Sequence, residues 1–553
     1  MDKNWKQHFP YPEPRPDQPD VIEKILNAFD GGKKFAIIEA PTGTGKSAIG
    51  YTIGRCFDDY WYVTAQKILQ SQLSEDFGEN GRWADQHPMI ELKGRNSYSC
   101  DHYEAALNDE EHPPLSDDQI KRFRQNIKDK VDCSKGECKR KGRSKLSYCD
   151  KNNICPYFNQ VSKAVYSPAV LMNFHSFIFQ TEFVPDRWPQ KTLLIIDEAH
   201  NVEQVLMDFV SFKITDASDW MPNLPKYTSS EEYLIFFEEI GMEDILKEKL
   251  SEALSKGDSD EEEYWGKQLS RYQNFKNSMN EHEWIPQYEE KSFVKGKGDG
   301  SKRYREVELK PLYISDFADD LLFNKVDYIL MMSATILSVD IMCESLGINR
   351  SEVYAKRIGS DFPVENRPIY YEPSGNMSFK EKDKTIPKMM KDIERISKKH
   401  DNVKGIIHTH NFAISKYIKD NASEDLKMRL FFQEDFDSKE SMLAIHSKSD
   451  DGIIVAPAMH EGLDLKNDLS RFQIICKVPY PGLGNNPQLK KRMDISPDYY
   501  TYLTSLKLVQ QYGRSIRSNT DYADTYILDG GFKSYFHRAK SMMPKWFVDA
   551  IVW

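Results

Sequence analysis

Short runs of consecutive apolar residues, each followed by a polar or glycine-rich break and then by apolar residues at helical spacing, recur along the chain. Residues 33–57, KKFAIIEAPTGTGKSAIGYTIGRCF, give the pattern most fully, as strand, Gly/Thr-rich loop and helix. Residues 190–205, QKTLLIIDEAHNVEQV, and 326–336, VDYILMMSATI, predict further buried strands that stop abruptly in polar side chains. From residue 402 the alternation resumes through NVKGIIHTHN, GIIVAPAMHEGLDL (452–465) and RFQIICKVPYPG (471–482). Continuous apolar strands separated by helical segments imply parallel sheets, so the chain reads as α/β with two such domains. The segment before residue 326 follows a different rhythm. Residues 231–254, EEYLIFFEEIGMEDILKEKLSEAL, and their continuation predict amphipathic helices, and residues 291–310 predict a hairpin around a glycine turn.

A length of 553 residues is too great for one core and suggests about three or four structural units. Apolar content of 39% with 29% charged residues fits a soluble globular chain rather than a disordered or fibrous one. No stretch approaches the ~18 uninterrupted apolar residues of a membrane span, and the first residues lack the apolar core of a signal peptide. A cytoplasmic protein is expected, or a nucleoid-associated or nuclear one, neither secreted nor membrane-bound. In that compartment thiols stay reduced, so a cluster of cysteines is better suited to metal or redox chemistry than to disulfides. Four of the eight cysteines fall within residues 133–158, CSKGECKRKGRSKLSYCDKNNICPYF. The net charge of -11 argues against nucleic acid as a partner, but the acids pool in patches such as residues 257–265, whereas KRKGRSK (139–145) carries five basic residues in seven. A local groove is enough.

The loop from Ala40 to Ser47 has the Walker A spacing, with alanine in place of the first glycine. Thr42, Gly43, Thr44 and Gly45 form a turn whose backbone N–H groups can face phosphate oxygens at a helix N-terminus. Lys46 would reach the β and γ phosphates, and the Ser47 hydroxyl would bind Mg²⁺. In the strand ending Asp-Glu-Ala-His, Asp197 can hold the same magnesium while Glu198 orients and deprotonates water. Either element alone has a structural explanation, a chance turn or an acidic helix cap. Together they point to nucleoside triphosphate hydrolysis. Ser333 to Thr335 supply small hydroxyl side chains suited to relaying nucleotide state. In VQQYGRSIRS (509–518), Arg514 and Arg517 lie three apart, which on a helix puts both on one face, able to reach transition-state phosphate across a cleft.

With these residues assembled, the sequence resembles an XPD/DinG-type superfamily 2 DNA helicase with an iron–sulfur cluster domain. Arg15 and Gln18 look like the family's Q motif, residues 40–47 motif I, residues 63–72 motif Ia, and Asp197 to His200 motif II. Ser333 to Thr335 look like motif III, Glu461 to Asp464, with Gly462 and Asp464 as coupling residues, motif V, and Gln510 to Arg517 motif VI. The resemblance implies two RecA-like parallel-sheet motor domains, the first interrupted by a small cysteine-rich Fe–S domain and a mainly helical arch domain. The implied division is motor domain 1 in 1–95, 161–204 and 311–345, the iron–sulfur domain in 96–160, the arch in 205–310, and motor domain 2 in 346–553.

The resemblance also implies a [4Fe–4S] cluster, beside ATP and Mg²⁺. Five cysteines qualify for four places, and the expected set is Cys100, Cys138, Cys149 and Cys155, with Cys133 the alternative to Cys138. Zinc remains the other metal for a four-cysteine site. The basic run would line a pore for single-strand phosphates, with Tyr157 or Phe158 either stacking on bases or packing beside the cluster. "IIHTHNF" is an unusual motif IV, and "YILDGGF" (526–532) lacks a basic residue expected after its aspartate. The implied activity is an ATP-dependent motor that moves on single-stranded DNA with 5′-to-3′ polarity and opens forked or tailed duplex in repair, replication or recombination. Expected partners are that DNA and proteins docking on the arch, around a monomeric motor. The rivals are a non-unwinding DNA-stimulated clamp or protein-displacing translocase, and a small-molecule kinase.

Overall fold

The computed structural model describes residues 1–553 except 84–86, 110–113, 137–153, 257–258, 295–300, 361, 458–464, 466 and 517–519. In chain order its strands are β1 (Phe35–Glu39), β2 (Tyr60–Thr64), β3 (Ile90–Leu92), β4 (Ala169–Asn173), β5 (Leu193–Asp197), β6 (Phe212–Thr215), β7 (Trp284–Val294), β8 (Ser301–Pro311) and β9 (Tyr328–Ser333). They continue as β10 (Val353–Arg357), β11 (Ile369–Gly375), β12 (Gly405–His408), β13 (Leu430–Phe432), β14 (Ile453–Ala456), β15 (Phe472–Ile475), β16 (Asp524–Asp529) and β17 (Ile551–Val552).

Two seven-stranded parallel sheets form the two domains, ordered β10-β1-β9-β5-β2-β4-β3 and β13-β14-β12-β15-β16-β11-β17. Their central strands are buried end to end and apolar up to a closing carboxylate, as FAIIE in β1 and LLIID in β5, because helices cover both faces. The helix Lys46–Arg55 lies close on the first sheet. A Cβ at Gly50 would stand 2.7 Å from the Met332 methyl and 2.9 Å from the Tyr62 ring, so glycine permits that approach. Thus β1, β5 and β9 end side by side, and their carboxyl ends deliver the loops that begin at Ala40, Glu198 and Ala334 to one edge.

The segment between β5 and β9 holds the helices Ser230–Glu239, Met242–Lys256 and Ser259–Ser278, followed by the β7–β8 hairpin. Ser229 and Glu232 close a reciprocal cap on the first of these helices. Strand β8 also pairs with β6, making a three-stranded antiparallel sheet beneath the helices. One boundary differs from expectation. The first domain does not end at residue 345, since β10 pairs in parallel with β1 and extends that sheet to Arg357. A short strand at a sheet edge carries little apolar signal of its own, and β10, VYAKR, shows no continuous run.

The two domains meet through a deeply buried cation. Arg492, 4% exposed, donates to the Glu203 carboxylate, to the Tyr499 hydroxyl at 2.7 Å and to the Ser345 hydroxyl at 3.1 Å. The Tyr499 hydroxyl donates in turn to Glu203 at 2.9 Å, and the Arg492 guanidinium lies 3.5 Å from the centre of the Tyr499 ring. Glu203 sits on the helix Val202–Val210, directly after the Asp-Glu-Ala-His sequence, so this network ties the second domain to that helix. Arg492→Met is expected to destabilise the protein by about 3 kcal/mol, because it strands Glu203 among buried groups. The check is thermal and urea unfolding in a double-mutant cycle with Glu203→Gln, where the second change should add little.

A buried histidine makes the second domain acid-sensitive. His446, on the helix Lys439–Lys448, is fully buried and donates Nε2–H to the Gly452 carbonyl at 3.2 Å. Burial pulls its imidazole down to about 4, against 6.5 for a free side chain. The unfolded chain therefore binds this proton more readily than the folded one. The stabilisation is complete above about pH 6.5 and is lost as pH falls towards 4, by about 3 kcal/mol in all. Urea midpoints of the wild type between pH 7 and 4.5 should show this decline, and His446→Gln should flatten it.

Candidate functional site

Gly43 and Gly45 both adopt left-handed backbone conformations, φ 85° and 81°, which turn the 40–47 loop over the end of the following helix. The Thr44 hydroxyl donates to the Pro41 carbonyl at 2.7 Å and Lys46 Nζ to the Ala40 carbonyl at 3.2 Å, which holds the loop in that shape. Gln18 braces it from behind. Its Nε2 donates to the carbonyls of Thr44 at 3.2 Å and Gly45 at 3.1 Å, while its Oε1 accepts from the Arg15 amide at 2.8 Å. A Cβ at Gly45 would fall 2.4 Å from that Nε2, so glycine is needed here for space as well as for φ.

Asp197 closes β5, fully buried, and Glu198 follows in a left-handed conformation with φ 58°. The turn sends the two carboxylates in different directions. Asp197 accepts from the Tyr62 hydroxyl at 3.2 Å and from the Glu198 amide at 2.9 Å. The Glu198 side chain keeps 21% exposure, and His200 Nδ1 lies 3.3 Å from it and 2.7 Å from the Ser333 hydroxyl. The acidic pair is thereby joined to the Ser-Ala-Thr segment at the end of β9. Burial and the neighbouring Glu198 charge push Asp197 up to about 6, against the pull of Lys46. Burial also acts to raise Glu198, but the hydrogen bond with His200 and the charges of Lys46, His200 and Arg514 outweigh it and hold that carboxyl at about 2. Two adjacent carboxylates, one of them buried and raised, form a site with an unmet demand for a cation, which fits a hard divalent ion.

These groups face a cavity of about 660 Å³. From the first domain it is lined by Arg15, Thr42, Gly43, Gly45, Lys46, Ser47, Asp197, Glu198, His200 and Thr335, and from the second by Gln510 and Arg514. Gln18 and Thr44 stand behind the loop rather than in its wall. Gln510 Nε2 donates to the Thr335 hydroxyl at 3.4 Å across the interface. The expectation that Arg514 lies within a helix is not met, because the helix Pro497–Tyr512 ends two residues earlier and Gly513 and Arg514 form the turn after it. A turn aims Arg514 by chain direction rather than by helical spacing. Its partner in that expectation, Arg517, lies outside the described residues, as do Gly462 and Asp464.

Sequence reasoning passed over Tyr62 and Arg367. Tyr62 is one apolar-looking position in a buried strand, and only the pairing of β2 with β5 brings its hydroxyl to Asp197. Arg367 lines the cavity while donating to the Phe362 carbonyl at 3.1 Å and to the Trp546 carbonyl, which fixes the wall beside Tyr512. Neither has a sequence signal of its own.

Residues 393–550 match a helicase C-terminal domain. Residues 11–216 match the res subunit of type III restriction enzymes. A stretch of 115 residues is 28% identical to ATP-dependent DNA helicase CHL1 of Candida albicans, covering 18% of this chain and only 13% of that protein's length. An XPD helicase structure superposes with a TM-score of 0.62 at 15% identity, covering 96% of this chain and 99% of the other. The structure of S. tokodaii Xpd4 gives 0.53 at 12% identity, covering 97% and 99%. The fold is thus XPD-like, and the matched domains support a superfamily 2 helicase-type ATPase. Among the described residues no helix is long and apolar enough to cross a membrane.

Outside the cavity, three cysteines converge. The Cys100 amide donates to the Val131 carbonyl at 2.9 Å and the Cys133 amide to the Tyr98 carbonyl at 2.8 Å, which sets Cys100 and Cys133 side by side. The Cys133 thiol donates to the Ser99 carbonyl at 3.1 Å, and Cys133 and Cys155 are buried in one cluster against which Cys100 packs. The neighbouring Cys133 side chain is the largest influence on the other two, pulling Cys100 down to about 7 and Cys155 to about 6, while Cys133 itself is pushed up by Cys100 and Cys155. The expected choice between Cys138 and Cys133 is not decided by this placement, because Cys138 lies outside the described residues. Cys138, Cys149 and the basic run 139–145 lie outside the described residues, and no group of three or more metal-holding side chains is found among the described ones. Tyr157 is buried, and the Arg95 guanidinium stands 4.9 Å from its ring and 5.1 Å from that of Phe158, so both aromatics take packing roles.

Proposed function

We propose that the protein is an ATP-dependent DNA helicase that moves 5′ to 3′ on single-stranded DNA and opens forked or tailed duplex. The observation that carries this reading is one cavity walled by the phosphate loop and paired acids of one domain and by Gln510 and Arg514 of the other. Lys46 and the amides of the 43–47 loop bind the triphosphate, and Ser47 and Asp197 would hold Mg²⁺, which supplies charge neutralisation at the phosphates. Glu198 orients the attacking water and accepts its proton as the oxygen joins the γ-phosphorus and the bond to the leaving diphosphate breaks. Arg514 lies against the charge that develops there. Closure over ATP and reopening after hydrolysis couple through Gln510–Thr335 and His200–Ser333, and Gly462 and Asp464 link this cycle to the strand.

Cys100, Cys149 and Cys155, with Cys138 or Cys133 as the fourth, would hold a [4Fe–4S] cluster, for which four thiolates are the ordinary ligand set. Such a cluster would supply a rigid cross-link for the insert that holds it. Strand displacement on duplexes with 5′ or 3′ tails of DNA or RNA tests the proposal. Displacement confined to 5′-tailed DNA supports it, whereas DNA-stimulated hydrolysis without strand separation would replace it with a clamp. An iron-to-protein ratio near four with thiolate-to-iron absorption supports the cluster, and a stoichiometric zinc protein would end that part.

A further inference from the structure

The helix Lys382–Lys399 packs one face, including Met389, Met390, Ile393 and Ile396, against the second sheet. Its opposite face is all cationic. At about 100° per residue, Lys384, Lys388, Lys391, Arg395, Lys398 and Lys399 share a single arc of about 100°, and no acidic residue of the helix falls inside it. Asp383 and Glu394 lie to one side and Asp392 to the other. Arg395 is partly neutralised by Glu372 at 2.6 Å and Asp392 at 3.3 Å. Lys384, Lys388, Lys391 and Lys398 are exposed and, among the described residues, form no ion pair. In a chain of net charge -11 the general field repels polyanions, so four unneutralised lysines in a row mark a local exception.

The row also has a definite place. Ile407, Ile474 and Leu528 meet this helix's layer, while Ile475 and Ile527 face the opposite layer, which contains Leu506, Val509 and the domain-1 residue Leu337. The lysines therefore sit on the far side of the second domain from the nucleotide cavity. From Lys384 to Lys398 the row runs about 21 Å, the length of about six base pairs. It is straight and contains no aromatic side chain, whereas single-strand binders interleave cations with stacking rings.

We propose that this face is a second nucleic-acid contact, which holds the phosphate backbone of double-stranded DNA without reading sequence. This rests on the helicase reading for its biological sense: the motor grips one strand while the lysine row steadies the adjoining duplex. Backbone contacts of this kind give affinity and salt dependence and carry no base specificity.

The test is the quadruple variant Lys384→Gln, Lys388→Gln, Lys391→Gln, Lys398→Gln, compared with wild type on a short blunt duplex and on short oligothymidine across a salt series. Duplex affinity should fall by about tenfold or more, and the slope of log Kobs against log salt should become shallower by about 3 to 4 units. Oligothymidine affinity and saturated ATP hydrolysis should stay at wild-type values, with unchanged melting temperature as the folding control. An unchanged duplex slope overturns the proposal and leaves a solvated face. Equal losses on duplex and oligothymidine overturn it in favour of the single-strand path. Unchanged DNA binding with lost binding to polyglutamate overturns it in favour of an acidic protein partner. Absence of DNA-stimulated hydrolysis in the wild type would count against the helicase reading alone, since the duplex slope is measured without ATP.

Discussion

Arg514→Ala is expected to lower the turnover number for ATP hydrolysis by about 10³- to 10⁵-fold, the range found where a guanidinium is withdrawn from a developing phosphoryl charge. The side chain is 9% exposed, lines the cavity opposite Lys46, and its charge already helps hold Glu198 ionised. The effect should fall on kcat, with ATP binding changed far less, because the loop around Lys46 remains intact. Arg514→Lys should recover only part of the rate, since an ammonium lacks the planar fork. Single-turnover hydrolysis with saturating single-stranded DNA measures both. A variant within tenfold of wild type would show that the second domain does not complete the site.

The second large effect concerns Glu198. Its replacement by glutamine keeps shape and hydrogen-bonding capacity but removes the proton acceptor, and kcat is expected to fall by about 10²- to 10⁴-fold. The sign of the accompanying change in binding follows from the acidic pair. Asp197 is raised by burial and then by the Glu198 charge, so an amide at residue 198 lets Asp197 ionise more readily. Mg-dependent ATP binding should be preserved or tightened in Glu198→Gln, and single-stranded DNA binding should survive. Fluorescent-nucleotide titration beside a phosphate-release assay separates the two. Robust hydrolysis by this variant would remove Glu198 from the chemistry.

The likeness to known proteins was legible unevenly along the chain. The loop at 40–47 and the acids at 197–198 stand out because their chemistry needs particular residue types at short spacing after a strand. Motif-like order then made Arg514 meaningful, although its placement on a helix was not right, because a helix cannot be followed through Gly513 by spacing alone. The cysteines show the opposite case. Their types announce ligands, yet the choice among five depends on which backbone segments pair, and the pairing that brings Cys133 beside Cys100 joins residues more than thirty positions apart. Arg492 gives no signal in its own sequence neighbourhood, and becomes significant only where it meets Glu203, Ser345 and Tyr499.

The amino-acid sequence by itself determined the two parallel α/β halves, the loop and strand ends that carry phosphate and acid chemistry, and the helices and hairpin between them. Those properties arise from periodicity and from neighbours a few residues apart, where local sterics and burial act directly. The tertiary structure alone decided that β10 belongs to the first sheet, that Tyr62 bonds Asp197, that Cys133 joins Cys100 and Cys155, and that Arg514 faces the cavity. Each is a meeting of distant segments, fixed by sheet order and by burial of polar groups that must find partners once water is excluded.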